Sequence, residues 1–175
     1  MQCVHDELVV ACNGMIGREV FTHRDRSANF YMIGSMGLAL SIGIGVALSR
    51  REKSVLVIDG DGNVLMNAGV LASAAAAGLD NLRHIVLDNE AHGSTGGQRT
   101  ITRSVALEKV ACACGYRYAE RVSTADLATA LPGFLKQKGP AMLLVKVHKD
   151  NTPNIGRVSY PPPEITRRFS SSIRA

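Results

Sequence analysis

Apolar runs alternate with longer helix-forming segments along the 175 residues of the chain. Continuous β-branched and apolar runs are typical of strands buried on both faces, and they predict strands at 7–12, 54–58, 84–87 and 141–147. Segments rich in Ala and Leu predict helices at 37–48, 63–77, 104–113 and 127–137. This alternation predicts an α/β fold with a mostly parallel sheet flanked by helices.

Two further stretches are polar. Residues 89–102 are Gly-rich and are predicted to form a loop, and the tail from about 151 is rich in Pro and Arg and is predicted to end in a short helix. The chain has neither an internal repeat nor a low-complexity linker. Its length suits one hydrophobic core, so we expect a single domain over residues 1–175.

Composition narrows the possible functions. Hydrophobic residues make up 46% of the chain and charged residues 20%, as in ordinary globular proteins, and the apolar run within 36–48 is short for a membrane span. The net charge of +5 is scattered and Trp is absent, which argues against a base-stacking nucleic-acid binder but suits an anionic cofactor or substrate. The start of the chain lacks a signal-peptide pattern and its four cysteines lack CxxC spacing, so we expect a cytoplasmic protein with buried free thiols.

Polar residues follow two neighbouring predicted strands at the point where each strand ends. Asp61 lies in the sequence DGDG directly after the strand at 54–58, and Asn89 follows the strand at 84–87. One helix separates the two strands, so their carboxyl ends can be neighbours, which is where ligands bind in open α/β sheets. Carboxylate and amide oxygens suit Mg²⁺, and a helix that begins at Asn63 would direct free N–H groups at a phosphate. Either residue alone is equally explained as a turn residue.

The sequence GDG followed by Asn89 resembles the thiamine-diphosphate motif. The segments that extend the resemblance are NFYMIGSMGLA (29–39), VIDGDGNVLMNAG (57–69), VLDNEAHGSTGGQRT (86–100) and PPPEITRRF (161–169). Together they are similar to the cofactor-binding half of phosphonopyruvate and sulfopyruvate decarboxylases, over most of residues 5–170. The resemblance implies a thiamine-diphosphate-binding fold and decarboxylation of a 3-substituted pyruvate, a 2-oxo acid, to an aldehyde and CO₂.

The resemblance also implies roles for single residues. Asp61 and Asn89 would bind Mg²⁺ through their side chains, and Ala91 would bind it through its backbone carbonyl. The cofactor's aminopyrimidine would lie on the GSMG segment, where the Gly34 carbonyl accepts a hydrogen bond and Met36 holds the cofactor bent. The other residues expected at the cofactor are Asn13, Gly14, Ser35, Gly60, Gly62, Asn63, His92 and Gly93.

The loop that would close over the cofactor and substrate contributes further candidates. The ordinary pKa of a histidine suits proton transfer near neutral pH, so His92 is the candidate catalytic residue, although a solvated loop histidine is an equally good interpretation. Ser94, Thr95 and Gln98 either contact the substrate or brace the loop. Arginine binds sulfonates and phosphonates well, and the candidates for that role are Arg99, Arg103 and Arg157.

The chain departs from the family pattern in two places. The family usually has Thr-Gly and then Ser after the first strand, whereas this chain has Asn13-Gly14 and then Gly17. The family also needs a glutamate on a separate pyrimidine-binding domain, for which 175 residues leave no room. The resemblance therefore implies a subunit of a hetero-oligomer whose partner supplies the glutamate.

Two other functions stay open. An acetolactate-synthase-like carboligase that is split between subunits would use the same cofactor chemistry with a different second substrate. A non-catalytic module of the same fold would serve only in assembly or regulation, although the presence of Asp61 and Asn89 argues against it.

Overall fold

The computed structural model of the chain describes residues 3–149 and 152–174. Its strands are β1 (Leu8–Ala11), β2 (Asn29–Tyr31), β3 (Val55–Gly60), β4 (Leu82–Asp88), β5 (Ala91–His92), β6 (Gln98–Arg99), β7 (Tyr118–Ser123) and β8 (Ala141–Lys146). Its α-helices are α1 (Met15–His23), α2 (Ala39–Ser49), α3 (Asp61–Met66), α4 (Val70–Ala76), α5 (Leu107–Cys114), α6 (Leu127–Phe134) and α7 (Pro162–Arg174). A short 3-10 helix spans Ile101–Arg103.

A six-stranded sheet in the order β2-β1-β3-β4-β8-β7 forms the centre of the fold, and every neighbouring pair in it is parallel. Strands β5 and β6 form a separate antiparallel pair. The expected α/β fold with a mostly parallel sheet is therefore confirmed. None of the helices among the described residues has the length and apolar character that a membrane crossing requires.

Alternating side chains of the central strands form a hydrophobic core on each face of the sheet. On β3, Val55 and Val57 pack with α2, α4 and α5, while Leu56 and Ile58 point to the opposite face, which α1 and α6 cover. Helix α7 lies against β2 and contributes Ile165 to one core and Phe169 to the other. Because both faces are covered, the strands read as continuous apolar runs, which is why the sequence pattern found them.

The predicted helix at 63–77 was wrong in its continuity and its start. Helix α3 begins at Asp61 and ends at Met66, and α4 begins at Val70. The break follows from Asn67, whose side chain donates a hydrogen bond to the Gly37 carbonyl (3.1 Å) and whose backbone leaves the helical region. The expected long helix dipole behind Asp61 is thus reduced to less than two turns.

Several other expectations change. Helix α1 and strands β2 and β7 were not predicted, because β2 has three residues and β7 is an edge strand with charged side chains. The predicted loop at 89–102 contains the β5–β6 pair and the 3-10 helix. The short helix expected in the tail is α7, with 13 residues. The tail's expected start near 151 lies outside the described residues. Cys12 is buried as expected, but Cys3 and Cys112 are exposed.

Candidate active site

The carboxyl ends of β1, β3 and β4 lie side by side and lead into the segments that the sequence singled out. We call these strand ends, together with residues 12–14, 34–37, 60–63 and 88–93, the carboxyl edge. A cavity of about 300 Å³ opens here. Its lining includes every residue expected at the cofactor except Gly34 and Ser35: Asn13, Gly14, Met36, Gly60, Asp61, Gly62, Asn63, Asn89, Ala91, His92 and Gly93.

Asp61 is a buried carboxylate at the start of α3, with 2% of its surface exposed. Its Oδ2 accepts a hydrogen bond from Thr100 Oγ1 (2.6 Å) and lies 3.4 Å from Thr102 Oγ1. Burial raises the pKa of Asp61, the nearby negative charge of Asp88 adds to that effect, and the hydrogen bond from Thr100 opposes it. Among the described residues Asp61 forms no ion pair. A cation in the cavity would therefore stabilise its ionised form.

Asp88 has a different environment, although it is fully buried. Lys146 Nζ donates to Asp88 Oδ2 (2.9 Å) and to Glu90 Oε1 (2.7 Å). Thr102 Oγ1 donates to Asp88 Oδ1 (2.8 Å) and so stands between the two aspartates. The charge of Asp88 is thus compensated within the protein, whereas that of Asp61 is free to attract a ligand.

The turn after β4 fixes Asn89 and Ala91. Asp88 Oδ1 accepts from the Glu90 amide and Asn89 Oδ1 accepts from the Ala91 amide, both at 3.0 Å. These two bonds hold Glu90 in the left-handed region at φ 58°. Because an amide oxygen has two acceptor positions, Asn89 can still bind a cation while it stabilises the turn.

His92 packs directly on the backbone of Gly62. A Cβ atom on Gly62 would lie 2.4 Å from His92 Nδ1, so only glycine permits this contact. Gly62 was expected at the cofactor, and in this structure the His92 imidazole occupies the space beside its backbone. The His92 carbonyl in turn accepts from the amides of Thr95 (3.2 Å) and Gly97 (3.0 Å), which holds the turn between β5 and β6.

Gly34 and Ser35 line a second cavity of about 210 Å³, between β2 and α7. Met36, the next residue, reaches the first cavity. Ser35 has φ 55° and Gly37 has φ 94°, so Met36 stands between two left-handed residues. This backbone carries the GSMG segment from one cavity to the other.

The remaining candidates are the polar residues of the Gly-rich loop and the three arginines. Thr95 and Gln98 are exposed and hydrogen-bonded to each other, so they brace the loop. Ser94 lines the cavity, whereas its lining within the described residues includes none of the expected arginines, Arg99, Arg103 and Arg157. Lining residues that sequence reasoning missed are Glu19 and His148. Thr100 and Thr102 were missed as well, and their only signal is a Thr-x-Thr sequence after the Gly-rich loop.

The chemistry of the cavity fits a hard cation and a polar ligand. No group of three or more His, Cys, Asp or Glu side chains gathers as a metal site in residues 3–149 and 152–174. Asp61, Asn89 and the Ala91 carbonyl together offer one carboxylate and two neutral oxygens, the kind of set that Mg²⁺ completes with water and substrate phosphate. Asn13 Oδ1 is buried in the cavity wall without a hydrogen-bond partner, and a bound donor would satisfy it.

Comparison with known proteins finds one protein family and several relatives that are similar to this chain. Residues 10–145 match the family described as thiamine pyrophosphate enzyme, C-terminal TPP binding domain. The chain is 45% identical to phosphonopyruvate decarboxylase of Streptomyces hygroscopicus, over 92% of this chain but only 40% of that protein. It is 42% identical to sulfopyruvate decarboxylase subunit beta of Methanococcus maripaludis, over 99% of this chain and 93% of that protein.

A solved structure supports the fold alone. Benzoylformate decarboxylase from Polynucleobacter necessarius superposes with a TM-score of 0.64 at 18% identity. The match covers 83% of this chain and 31% of that one. The chain therefore corresponds to less than half the length of that enzyme and of the Streptomyces relative.

Proposed function

The chain belongs to the thiamine pyrophosphate enzymes, as the cofactor-binding half of the phosphonopyruvate and sulfopyruvate decarboxylases, and we propose that it is one subunit of a split decarboxylase. Its substrate would be sulfopyruvate, phosphonopyruvate or a related 3-substituted pyruvate. The products would be an aldehyde and CO₂. A partner subunit would bring the pyrimidine-binding domain with its glutamate, giving a hetero-oligomer.

The observation that carries the proposal is the uncompensated carboxylate of Asp61 in the cavity wall. Burial and the charge of Asp88 both disfavour its ionised form, and its Oδ1 is not used by Thr100 or Thr102. A buried carboxylate without an ion-pair partner lowers stability unless a cation completes the site. Asp61 and Asn89 would hold Mg²⁺ by their side chains and Ala91 by its carbonyl.

The other residues of the cavity would bind and orient. Thiamine diphosphate, when bound, accepts the electrons that the departing carboxyl group leaves behind. Met36 would pack against its rings and hold it bent, and the Gly34 carbonyl would accept from its exocyclic amine. Asn13 and Gly14 would lie near the same ring, and Gly60, Gly62 and Asn63 near the diphosphate. His92 would move a proton at the substrate after leaving its place on Gly62.

Exposed apolar side chains support the expectation of a partner. Ile33, Leu38, Met66 and Ile101 have 64%, 43%, 62% and 58% of their surfaces exposed. Ile33 and Leu38 flank the GSMG segment, Met66 lies against Gly37, and Ile101 stands between the two threonines near Asp61. Large apolar side chains around one site are typical of a surface that another polypeptide covers.

Carboligation is the second candidate. The chain is 27% identical to acetolactate synthase isozyme 1 large subunit of Escherichia coli over 79% of its length. The same cofactor site would serve such a reaction, but the identity to the decarboxylases is much higher. A non-catalytic module is disfavoured because Asp61 and Asn89 are both present at the cavity.

The test is an assay of the chain combined with a candidate pyrimidine-domain partner, with Mg²⁺ and thiamine diphosphate. Release of CO₂ would be measured from sulfopyruvate, phosphonopyruvate and unsubstituted pyruvate. We expect turnover of a 3-substituted acid only when both subunits are present, and its loss in Asp61→Asn. Formation of acetolactate from pyruvate would favour the carboligase instead, and no turnover of any acid would contradict both enzymatic functions.

A further inference from the structure

Two asparagine side chains hold both polar groups of Gly37. The Gly37 amide donates to Asn63 Oδ1 (2.7 Å), and the Gly37 carbonyl accepts from Asn67 Nδ2 (3.1 Å). Asn63 lies in α3 and Asn67 directly follows its last residue, so one short segment presents both amides to Gly37. The segment that carries Met36 is thereby attached to the helix that begins at Asp61.

Asp59 determines which way the amide of Asn63 faces. Asn63 Nδ2 donates to Asp59 Oδ1, and a carboxylate only accepts, so the NH₂ group must point to Asp59 and the amide oxygen to Gly37. Asp59 is itself buried, with 2% of its surface exposed, and hydrogen bonds hold its side chain in place. Its Oδ1 also accepts from the Gly60 amide (2.9 Å), and its Oδ2 lies 3.4 Å from His84 Nε2.

The backbone on either side of Met36 needs such support. Ser35, a residue with a Cβ atom, is left-handed, and Gly37 is left-handed as well. A left-handed conformation in a residue other than glycine persists only when its surroundings determine it. The bond from the Gly37 amide to Asn63 holds the chain two residues after Ser35, at the residue next to Met36.

We propose that Asn63, oriented by Asp59, is a positioning residue that fixes Met36 at the cavity. Both hydrogen-bonding groups of the Asn63 side chain have partners within the protein, so the side chain acts on the GSMG segment, and a contact of Asn63 with the diphosphate would come from its backbone amide. The part of the proposal that concerns cofactor affinity rests on the proposed function. The part that concerns the position of the segment does not.

The chemistry of the pair offers a rescue variant. In Asp59→Asn combined with Asn63→Asp, the new amide at 59 donates to the new carboxylate at 63, which still accepts from the Gly37 amide. The exchange thus restores the bond between residues 59 and 63 with the donor and acceptor reversed, although the Gly60 amide loses the acceptor that Asp59 Oδ1 provides. Neither single substitution does so, because Asn63→Asp places two carboxylates together and Asp59→Asn frees the amide of Asn63 to turn over.

The first readout is hydrogen exchange of the Gly37 amide, followed by NMR in the full chain without cofactor. We expect Asn63→Ala to accelerate this exchange by about tenfold or more, and the double exchange to restore most of the protection. Asn81→Ala is the matched control, since it also removes a hydrogen-bonded asparagine but lies at the opposite edge of the sheet. If Asn63→Ala does not fold, Asn67→Ser tests the same segment through the Gly37 carbonyl.

The second readout is the affinity for thiamine diphosphate with Mg²⁺, measured in the chain with its partner. Asn63→Ala should weaken binding roughly tenfold, the double exchange should recover it, and Asn81→Ala should leave it unchanged. Unchanged Gly37 exchange in folded Asn63→Ala would overturn the proposal. A double exchange no better than Asn63→Asp alone would overturn the role of Asp59. Failure of the unaltered chain to bind cofactor would contradict the proposed function, and the exchange readout would then decide the positioning role alone.

Discussion

Asn81 lies at the amino ends of the sheet strands and Asn13 at their carboxyl ends. The two side chains differ in how fully their polar atoms are hydrogen-bonded. At the amino edge, formed by residues 24–28, 50–54 and 79–81, Asn81 Nδ2 donates to the carbonyls of Ala47 (3.1 Å), Arg50 (3.0 Å) and Lys53 (2.9 Å). At the carboxyl edge, Asn13 Oδ1 is buried without a partner. The first asparagine closes a loop, whereas the second is left ready for a ligand.

The carboxylates at the two edges differ in the same way. Asp25, at the amino edge, accepts hydrogen bonds from Tyr31 (2.8 Å), Tyr160 (2.9 Å) and Arg168 (2.8 Å). Asp61, at the carboxyl edge, has a raised pKa and is bonded only by neutral hydroxyls among the side chains described. In both comparisons the group at the amino edge is fully bonded and the group at the carboxyl edge is incompletely satisfied, as expected when stability and function compete.

Substitution of Asp61 should have the largest effect, because it should weaken cofactor binding while it raises stability. Asp61→Asn keeps an acceptor for Thr100 but removes the charge that burial and Asp88 disfavour. We expect it to weaken Mg²⁺-dependent cofactor binding by roughly a hundredfold. Its free energy of unfolding should rise by about 1 kcal/mol, because the buried uncompensated charge is gone.

Calorimetric titration and chemical denaturation would measure the two effects of Asp61→Asn. Asp80→Asn is the control, since Asp80 is an exposed carboxylate at the amino edge that pairs with Arg117. It should change neither quantity appreciably. A clear loss of stability in Asp61→Asn would show that Asp61 is a structural residue.

Substitution of Asn81 should have the opposite pattern. Asn81→Ala removes a donor from three backbone carbonyls, of which, among the described residues, only that of Arg50 keeps another, the Lys53 amide, and should lower the free energy of unfolding by about 2 kcal/mol. Cofactor affinity should not change, because the loop it closes lies at the amino edge. Asn81→Asp should be at least as harmful in urea denaturation, since a carboxylate cannot donate to carbonyls, and tolerance of Asp there would contradict this account.

The anchor of α7 at Asp25 should respond to acid. Burial tends to raise the pKa of Asp25, but the hydrogen bonds from Arg168, Tyr31 and Tyr160 outweigh it and lower the pKa below its ordinary value of 3.8. The stability that Asp25 contributes is therefore full above that value and is lost as pH falls through the lower folded pKa.

Asp25→Asn should accordingly cost about 1.5 kcal/mol at pH 7 and progressively less as the pH falls below the ordinary value. Urea denaturation at a series of pH values would show the two curves converging in acid. Curves that stay parallel down to the acid limit would mean that the charge of Asp25 contributes nothing to stability.

Two glycine substitutions should give the smallest change in the free energy of unfolding. Gly69 directly precedes α4 with helical backbone angles, and a Cβ atom added there would have no atom within 4 Å, so Gly69→Ala should raise the free energy of unfolding by about 0.5–1 kcal/mol. Gly62→Ala gains the same helix propensity but must displace the His92 ring. We expect no net stabilisation from Gly62→Ala and a changed His92 NMR signal. An equal rise in the free energy of unfolding of both variants would exclude the contact between His92 and Gly62.

The sequence predicted what short-range patterns encode. Continuous apolar runs located β3 and β4, and the polar residues after them located Asp61 and Asn89 at the cavity. The resemblance to the phosphonopyruvate and sulfopyruvate decarboxylases is confirmed by the family match and the relatives. Edge strands such as β7 were missed because the consecutive exposed charges of Glu120 and Arg121 interrupt the apolar run.

Contacts between segments that are distant in the sequence could not be predicted from local hydrophobic and polar patterns. Thr100 bonds to Asp61 from 39 residues away and Lys146 bonds to Asp88 from 58 residues away, and apart from the Thr-x-Thr sequence no local signal points to either. The break after Met66 depends on the bond from Asn67 to Gly37, and the place of His92 depends on the missing side chain of Gly62. Each of these follows from packing between elements rather than from propensity within one.

The most direct test of the carboxyl edge as a cofactor site is calorimetric titration of thiamine diphosphate into the purified chain, alone and with its partner, with and without Mg²⁺. The account predicts saturable binding to the complex that requires Mg²⁺ and is lost in Asp61→Asn. Absence of Mg²⁺-dependent binding from both samples would contradict it and would leave Asp61 as a buried charge without a purpose in catalysis.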